Sequence, residues 1–362
     1  MAALACVVAV VAAPPQKKPK KEEETQVLQV PRDLPATVTG DPRRLTFHVT
    51  PLSAKGLLSQ QIRDALKALD RDTGSDTVLK IRAFTAGSGD VRRVRDLVSE
   101  IFTERRQPLP VLSLIQSGGL PLEGSQVVLE SISSTKKEVN PNGLVFLSPR
   151  TAVGGAPAEP VAPLTERSLA ALREELRASG SEAADMLRVT CFLSSLDNLA
   201  ASRKLVEAEY PKAALNFVQT QRAPFEAMAS CEGVARLRSR TAARLQVKNV
   251  DGAATESGVS QLALVTAPVL VLTGTQISFG YEERNSRLAF DRLAKGLEQA
   301  GTSVRNVAYV HYYPLSPGIA KQVVKIRSEV FGAHSPAGFL LQFEGLPSMD
   351  AGFAVDVIAV KD

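Results

Sequence analysis

The feature that most constrains this chain is an internal repeat. Each third of the sequence ends in a predicted hairpin of two strands whose turn contains a proline, at Pro121, Pro224 and Pro347, which lie 103 and 123 residues apart. The same order of predicted elements precedes and includes each hairpin: strand, helix, strand, helix, strand, strand. A repeat of this length is the size of a domain, so the sequence predicts three tandem domains and not a solenoid.

The third copy shows the pattern most clearly. In a predicted helix at about 285–301, Phe290, Leu293 and Leu297 recur on one face, as in a helix that packs on a sheet. A second helix is predicted at about 318–331. Runs rich in Val, Leu and Tyr predict strands at 269–273, 305–313, 338–343 and 351–360. Because helices and strands recur in the same order in all three copies, the predicted fold class is α+β.

The first 37 residues form a separate segment. Residues 1–13 are almost wholly apolar, yet too short to cross about 30 Å of hydrocarbon as a helix. They match the apolar region of a secretory signal, although no basic residue precedes it and Pro14 follows the candidate cleavage point. Residues 14–37 form a charged, proline-containing stretch that predicts a disordered linker. We therefore expect an exported or periplasmic protein with no stable membrane span; the alternative is a cytoplasmic protein with an unstructured apolar tail.

Composition and motifs exclude several classes of function. Lys and Arg number 43 and Asp and Glu 38, with the signs interleaved, so no basic face for nucleic acid is predicted. No Cys-x-x-Cys, His-Glu-x-x-His or glycine-rich nucleotide motif occurs, so neither a metal nor a cofactor is predicted. Cys191 and Cys231 lie in two predicted strands of the middle copy. Their pairing is left open by the sequence, and free buried thiols are the expected state.

Several short motifs in the third copy carry a resemblance to a known family. They are Val-Leu-Thr-Gly-Thr-Gln at 271–276, Val-Arg-Asn-Val at 304–307, Ser-Pro-Ala-Gly-Phe at 335–339, Leu-Pro at 346–347 and Val-Asp-Val-Ile-Ala-Val at 355–360. Together they resemble the RidA/YjgF family of reactive-intermediate imine deaminases, also called L-PSP endoribonucleases. The resemblance covers nearly all of 262–362, is weaker over 38–135 and 140–237, and leaves 238–261 as a polar linker.

The resemblance implies the architecture. Members of this family have a chorismate-mutase-like α+β fold and form homotrimers with ligand clefts between subunits. Three fused copies therefore predict a monomer that folds as an intramolecular pseudo-trimer. Two physical arguments agree: a sheet with one face covered by helices must bury its other face, and linkage raises the effective concentration of the copies to about the millimolar range. The alternative is three separate domains that pair with other chains.

The resemblance also implies where the site should be. In the family, a Pro-Ala-Arg-Thr motif places an arginine that binds the substrate carboxylate through two hydrogen bonds. Here the arginine position, counted back from the hairpin proline, is occupied by Leu112, Leu215 and Gly338. A downstream acidic position on the last strand is kept in all three copies. The residues at this acidic position are Glu130, Glu232 and Asp356.

Two functions follow from this pattern. The first is binding of a small molecule, or scaffolding, without standard deamination, with His334 and Arg150 as candidate ligand contacts at the cleft rim. The alternative is a divergent hydrolase, a 2-iminobutanoate/2-iminopropanoate-type deaminase, in which the three acids act as general acids or bases. A structural role, in which each acid only pairs with a nearby base, is also open. Ligand identity is not given by the sequence.

Overall fold

The computed structural model describes residues 30–250 and 258–361. The predicted signal-like segment 1–13 and most of the predicted linker 14–37 lie outside the described residues. Within the described ranges, no helix is long and apolar enough to cross a membrane.

The described chain begins with a short strand, β1 (Thr37–Gly40), and continues into three units of like construction. Unit 1 consists of β2 (Leu45–Val49), α1 (Leu58–Thr73), β3 (Thr77–Thr85), α2 (Arg92–Glu104), β4 (Val111–Gln116) and β5 (Val127–Ser134). Unit 2 consists of β6 (Leu144–Leu147), β7 (Ala152–Val153), α3 (Val161–Ala178), β8 (Met186–Leu193), α4 (Leu199–Glu209), β9 (Ala214–Gln219) and β10 (Met228–Arg236).

Two further strands, β11 (Leu245–Lys248) and β12 (Leu262–Val265), precede the last unit. Unit 3 consists of β13 (Leu270–Thr273), β14 (Gln276–Phe279), α5 (Glu283–Gln299), β15 (Val307–Pro314), α6 (Pro317–Phe331), β16 (Ala337–Leu340) and β17 (Ala351–Val360). Three short 3-10 turns, at Pro42–Arg44, Ala183–Asp185 and Val304–Asn306, lead into strands.

Strand order is the same in all three units. The sheets run β2-β5-β3-β4, β6-β10-β8-β9 and β13-β17-β15-β16. In each, the last two strands of that order are parallel and the other neighbours are antiparallel. The predicted threefold repeat and the α+β fold class are therefore confirmed at the level of topology.

Each unit buries its helices against one face of its sheet. In α1, Ile62, Leu66 and Leu69 form the buried stripe that periodicity predicts. Helix starts and stops follow local chemistry: Ser316 accepts a hydrogen bond from the amide of Ile319 at the start of α6. Each unit thus has its own apolar core between helices and sheet.

The opposite faces of the three sheets pack together. Two mixed apolar clusters contain residues from all three units. Phe84, Phe192 and Tyr313, one from each unit, lie in the same cluster, and Phe84 and Phe192 are in edge contact at 5.9 Å. The chain therefore forms a pseudo-trimer within one molecule, as the repeat predicts. We call the line around which the three sheets meet the axis.

Strands are exchanged at the unit boundaries. β1 pairs with β13 of unit 3, and β12 pairs with β6 of unit 2 while β11 pairs with β12. The predicted linker 238–261 therefore contains the strand β11, and β12 belongs to the sheet of unit 2 although it follows residue 261. These added strands protect the sheet edges, since an uncovered β6 or β13 would leave backbone groups unpaired.

The two cysteines of unit 2 form a disulfide. Cys191 on β8 lies directly opposite Cys231 on β10, with their Cα atoms 4.1 Å apart. The expectation of free thiols is therefore wrong. Strand register decides the matter, because cross-strand partners in a sheet lie within disulfide reach, and register between distant strands is not visible in the sequence.

Candidate functional site

The three predicted acids meet at the axis. Glu130, Glu232 and Asp356 occupy equivalent places on the last strands, opposite Arg82, Thr190 and His311 on the middle strands. Their exposed fractions are 1%, 1% and 0%. We call these acids and the side chains that contact them the axial cluster. Its other members are Lys80, Arg82, Ser113, Arg188, Thr190, Asn216, Tyr309 and His311.

Glu130 binds side chains of two units. Arg82, on the neighbouring strand, donates from Nε to Glu130 Oε2 at 2.8 Å. Thr190 and Asn216 of unit 2 each donate to Glu130 Oε1 at 2.7 Å. Arg188 of unit 2 adds a charge 3.5 Å from the same carboxylate. Every carboxylate oxygen of Glu130 is therefore engaged across the boundary between units 1 and 2.

The other two acids are bound in the same way. Tyr309 of unit 3 donates to Glu232 Oε2 at 2.8 Å, and Arg82 of unit 1 donates to Glu232 Oε1 at 2.5 Å. Asp356 accepts from Lys80 Nζ at 2.5 Å and from the hydroxyl of Ser113 at 2.7 Å, both in unit 1. The three acids thus join each unit to its neighbours.

The charges of the axial cluster set the protonation states. Burial alone would raise the pKa of Glu130, but the charges of Arg82 and Arg188 outweigh it and lower that pKa to about 2. Burial likewise opposes the fall of the pKa of Asp356, where Lys80 and His311 hold it well below its ordinary value. The three carboxyls, Glu232 included, are therefore ionised and paired at neutral pH.

His311 and Lys80 are the titratable bases of the cluster. Burial lowers the pKa of His311, although Asp356 lies 2.8 Å from its Nδ1 and raises it. Burial also lowers the pKa of Lys80. The cavity beside these groups has a volume of only about 10 Å³, which is room for no more than one water. A substrate has no space at the axis, so the three acids are placed for assembly.

An open cleft lies between units 2 and 3. It runs from the end of β6 to the edge of β16 and has a volume of about 340 Å³. We call it the 2–3 cleft. Two of the predicted ligand-contact positions, Arg150 from unit 2 and Gly338 from unit 3, line it together with Ser148 and Thr151.

Gly338 cannot be replaced by arginine on this backbone. Its φ is +150°, and a Cβ built there would lie 2.0 Å from the carbonyl oxygen of Val310. The absence of a side chain lets β16 lie against Val310 of β15, and the amide of Gly338 donates to Ser148 Oγ of unit 2 at 2.8 Å. The cation in this cleft is therefore supplied by Arg150 of the neighbouring unit.

Arg150 is held by the helix beside it. Its Nε lies 3.2 Å from Glu175 Oε1, and Nη2 contacts the Glu174 carboxylate and, at 3.2 Å, the carbonyl of Ala171. Burial raises the pKa of Glu175 well above its ordinary value, against the opposing charge of Arg150. Glu174 is thus the ionised partner of Arg150, whose side chain stays partly exposed. The sequence could have indicated the burial of Glu175, because this acid lies between Leu172 and Leu176 on the apolar stripe of α3.

Register confirms that the three arginine positions are equivalent. Leu112, Leu215 and Gly338 lie opposite Ile81, Val189 and Val310, the matching residues of the three middle strands. The two leucines are half-buried and pack against the helix-side cores of units 1 and 2.

The other unit boundaries differ from the 2–3 cleft. At the boundary of units 1 and 3, the amide of Thr275 donates to the carbonyl of Leu112 at 3.2 Å, so the two backbones touch. The place of Arg150 is taken by Gln276 in unit 3 and by Thr50 or Pro51 in unit 1. None of these is cationic, so among the three equivalent positions only Arg150 is a cation.

His334 is not brought to the cleft. Its Nε2 lies 2.7 Å from the carbonyl oxygen of Val307, and it is absent from the residues that line the 2–3 cleft. Within residues 30–250 and 258–361, no group of three or more His, Cys, Asp or Glu side chains is arranged to hold a metal ion.

Comparison with known proteins gives matches among solved structures. No family model and no curated protein matches the chain. A YjgF/YER057c/UK114 family member from Mycobacterium tuberculosis is 20% identical, covering 32% of this chain and 98% of its own, with a TM-score of 0.25. A Rid family protein of unknown function from Yersinia pestis is 15% identical over 33% and 99%, with a TM-score of 0.31.

A YjgF family member from Neisseria meningitidis is 13% identical over 33% of this chain and 95% of its own, with a TM-score of 0.25. These solved structures are RidA/YjgF/L-PSP family structures, and each corresponds to about a third of this chain. The three-unit architecture itself rests on the strand order and register described above.

Proposed function

We propose that this protein binds a small carboxylic acid in the 2–3 cleft and does not deaminate imines. One observation carries the proposal: Arg150 and Gly338 line the same open cleft, while Glu130, Glu232 and Asp356 lie sealed at the axis. A cation is thus available to a ligand, and the acids are not.

The cleft offers donors suited to a carboxylate. A guanidinium binds a carboxylate by charge-assisted hydrogen bonds. The backbone edge of β16 adds a second donor, because alternate residues of a strand point the same way. The amide of Gly338 faces the cleft, where it donates to Ser148 Oγ. The amide of Leu341 points the other way and donates to the carbonyl of Tyr312. By this alternation the amide of Leu340 also faces the cleft.

The chemistry of hydrolysis is not supplied there. Cleavage of a C=N bond needs a group that activates water and one that protonates the departing nitrogen. The described residues that line the 2–3 cleft include neither a carboxylate nor a histidine. This lining supports binding without turnover.

Calorimetric titration with 2-oxobutanoate tests the binding. Loss of a charge-assisted hydrogen bond costs about 1.5–3 kcal/mol, so Arg150→Met should weaken binding about tenfold or more. The control is Arg177→Met, at an exposed arginine of α3, the helix that Arg150 contacts, and it should leave affinity unchanged. Equal affinity in the wild type and Arg150→Met would refute the proposal.

Ammonia release separates binding from catalysis. Freshly generated 2-iminopropanoate should release ammonia in the presence of the protein no faster than in buffer. Turnover that disappears in Arg150→Met would establish the alternative, a divergent imine deaminase that uses this cleft.

We also propose that the protein works in an oxidising compartment. The Cys191–Cys231 disulfide supports this, since disulfides persist in exported proteins and are rare in the cytoplasm. The proposal is tested by fractionating the source cells, with recovery in the cytoplasmic fraction as the contrary result.

A further inference from the structure

A second groove adjoins the 2–3 cleft. It has a volume of about 190 Å³, and three residues form walls of both spaces, namely Thr151, Leu340 and Leu341. Its remaining wall comes mostly from unit 2, and its apolar part is Val153, Pro224, Phe225 and Met228. The two spaces are therefore adjacent, and they differ in chemistry: Arg150 lines one of them, and much of the wall of the other is apolar.

Two large apolar side chains of the groove stand in water. Phe225 is 75% exposed and Val153 is 43% exposed. Single exposed apolar residues are common on protein surfaces. These two differ from such residues because they flank a groove that lies beside a cleft lined by a cation, an arrangement typical of sites that hold one polar and one apolar end of a ligand.

We infer that the site takes an amphipathic monocarboxylic acid, with its carboxylate at Arg150 and its apolar tail in the groove beside Phe225. The inference rests on the proposed function and adds the class of ligand. The groove, of about 190 Å³, should take a short linear tail or one phenyl ring.

The charge of Glu226 should make the groove select against ligands with a second carboxylate. Glu226 lies in the groove wall, so a ligand with a carboxylate at its far end would meet a like charge. A monocarboxylate should therefore be preferred over the dicarboxylate of the same length.

Titration of wild-type protein with acetate, butanoate, hexanoate and octanoate tests the inference. Affinity should rise about fourfold per methylene through hexanoate, the value expected for burial of a CH₂ group, and then level off. Adipate should bind at least tenfold more weakly than hexanoate. Phe225→Ser should flatten the rise with chain length and leave acetate affinity unchanged.

Phe279→Ser is the control, since Phe279, on β14 of unit 3, is 56% exposed and lines neither the groove nor the 2–3 cleft. It should keep the full dependence on chain length. Thermal melts check that both variants are folded. Affinity that does not change with chain length overturns the inference and leaves the proposed function standing. So does a chain-length dependence that survives in Phe225→Ser, because the tail then binds elsewhere. Failure of all four acids and of 2-oxobutanoate to bind overturns both.

Discussion

The axial cluster and the 2–3 cleft contain the same kinds of side chain in opposite settings. At the axis, Arg82 is fully buried between Glu130 and Glu232. In the cleft, Arg150 is partly exposed and its buried partner Glu175 has a raised pKa. The comparison teaches that the chemistry available to a charged residue depends on what surrounds it. Buried arginines and carboxylates that pair with each other hold the units together. An arginine that is partly exposed beside open space can bind a ligand.

The largest expected effect comes from breaking the axial cluster. Arg82→Met should lower the free energy of unfolding by about 3–5 kcal/mol, because it removes the nearer of the two cations shared by the buried carboxylates of Glu130 and Glu232. Urea unfolding measures the change. The control, Arg92→Met, removes an exposed partner of Asp90 and should stay within about 0.5 kcal/mol. A loss below 1 kcal/mol for Arg82→Met would show that the axis does not hold the units together.

The disulfide lies next to the axial cluster, because Thr190 precedes Cys191 on β8 and Glu232 follows Cys231 on β10. The double variant Cys191→Ala/Cys231→Ala should lose about 2–4 kcal/mol of stability relative to the oxidised protein. Mass spectrometry after alkylation of the denatured protein gives the second readout: Cys191 and Cys231 should be labelled only after reduction. Labelling of these two residues in denatured protein that has not been reduced would contradict the disulfide.

Low pH should destabilise the axial cluster more than the 2–3 cleft. Because the folded pKa of Glu130 is about 2, below its ordinary 4.5, its contribution is present above pH 4.5 and is lost as pH falls toward 2. The loss for this residue is on the order of 3 kcal/mol. Stability of Glu130→Gln, measured by urea unfolding, should be lower at pH 7 and less dependent on pH between 4.5 and 2. Parallel profiles for wild type and variant would contradict this assignment.

An effect of the opposite sign is expected at Glu175. Its folded pKa is raised, so the wild type should lose stability as pH rises above 4.5, the ordinary value, toward that folded pKa. Glu175→Gln should remove this loss, which amounts to about 1.4 kcal/mol per pH unit at most. Urea unfolding at pH 5 and pH 8 measures it, with the exposed Glu174→Gln as control. A variant that is less stable than wild type at pH 8 would mean that Glu175 is ionised.

Much of the fold could be predicted from the sequence, because its signals are local and occur three times. The period of Ile62, Leu66 and Leu69 defines a helix, and the hairpin prolines define the repeat. The exchange of β1 and β12 between units could not be predicted, since either edge accepts an apolar strand equally well.

The site was less predictable. Counting from the hairpin proline found the position of Gly338 and the three acids, yet not that the acids face the axis and bind side chains of other units. Arg150 and Gly338 come from different units, about 190 residues apart, and only tertiary packing brings them together. The pairing of Cys191 with Cys231 depends in the same way on register.

The central claim is that the three unit boundaries are unequal and that one of them, with Arg150, holds the ligand. The number of carboxylic-acid ligands bound per chain tests this claim most directly. Calorimetric titration of the full chain with hexanoate should give one site per chain, which Arg150→Met abolishes. Three equivalent sites per chain, or one site that is unaffected by Arg150→Met, would contradict it.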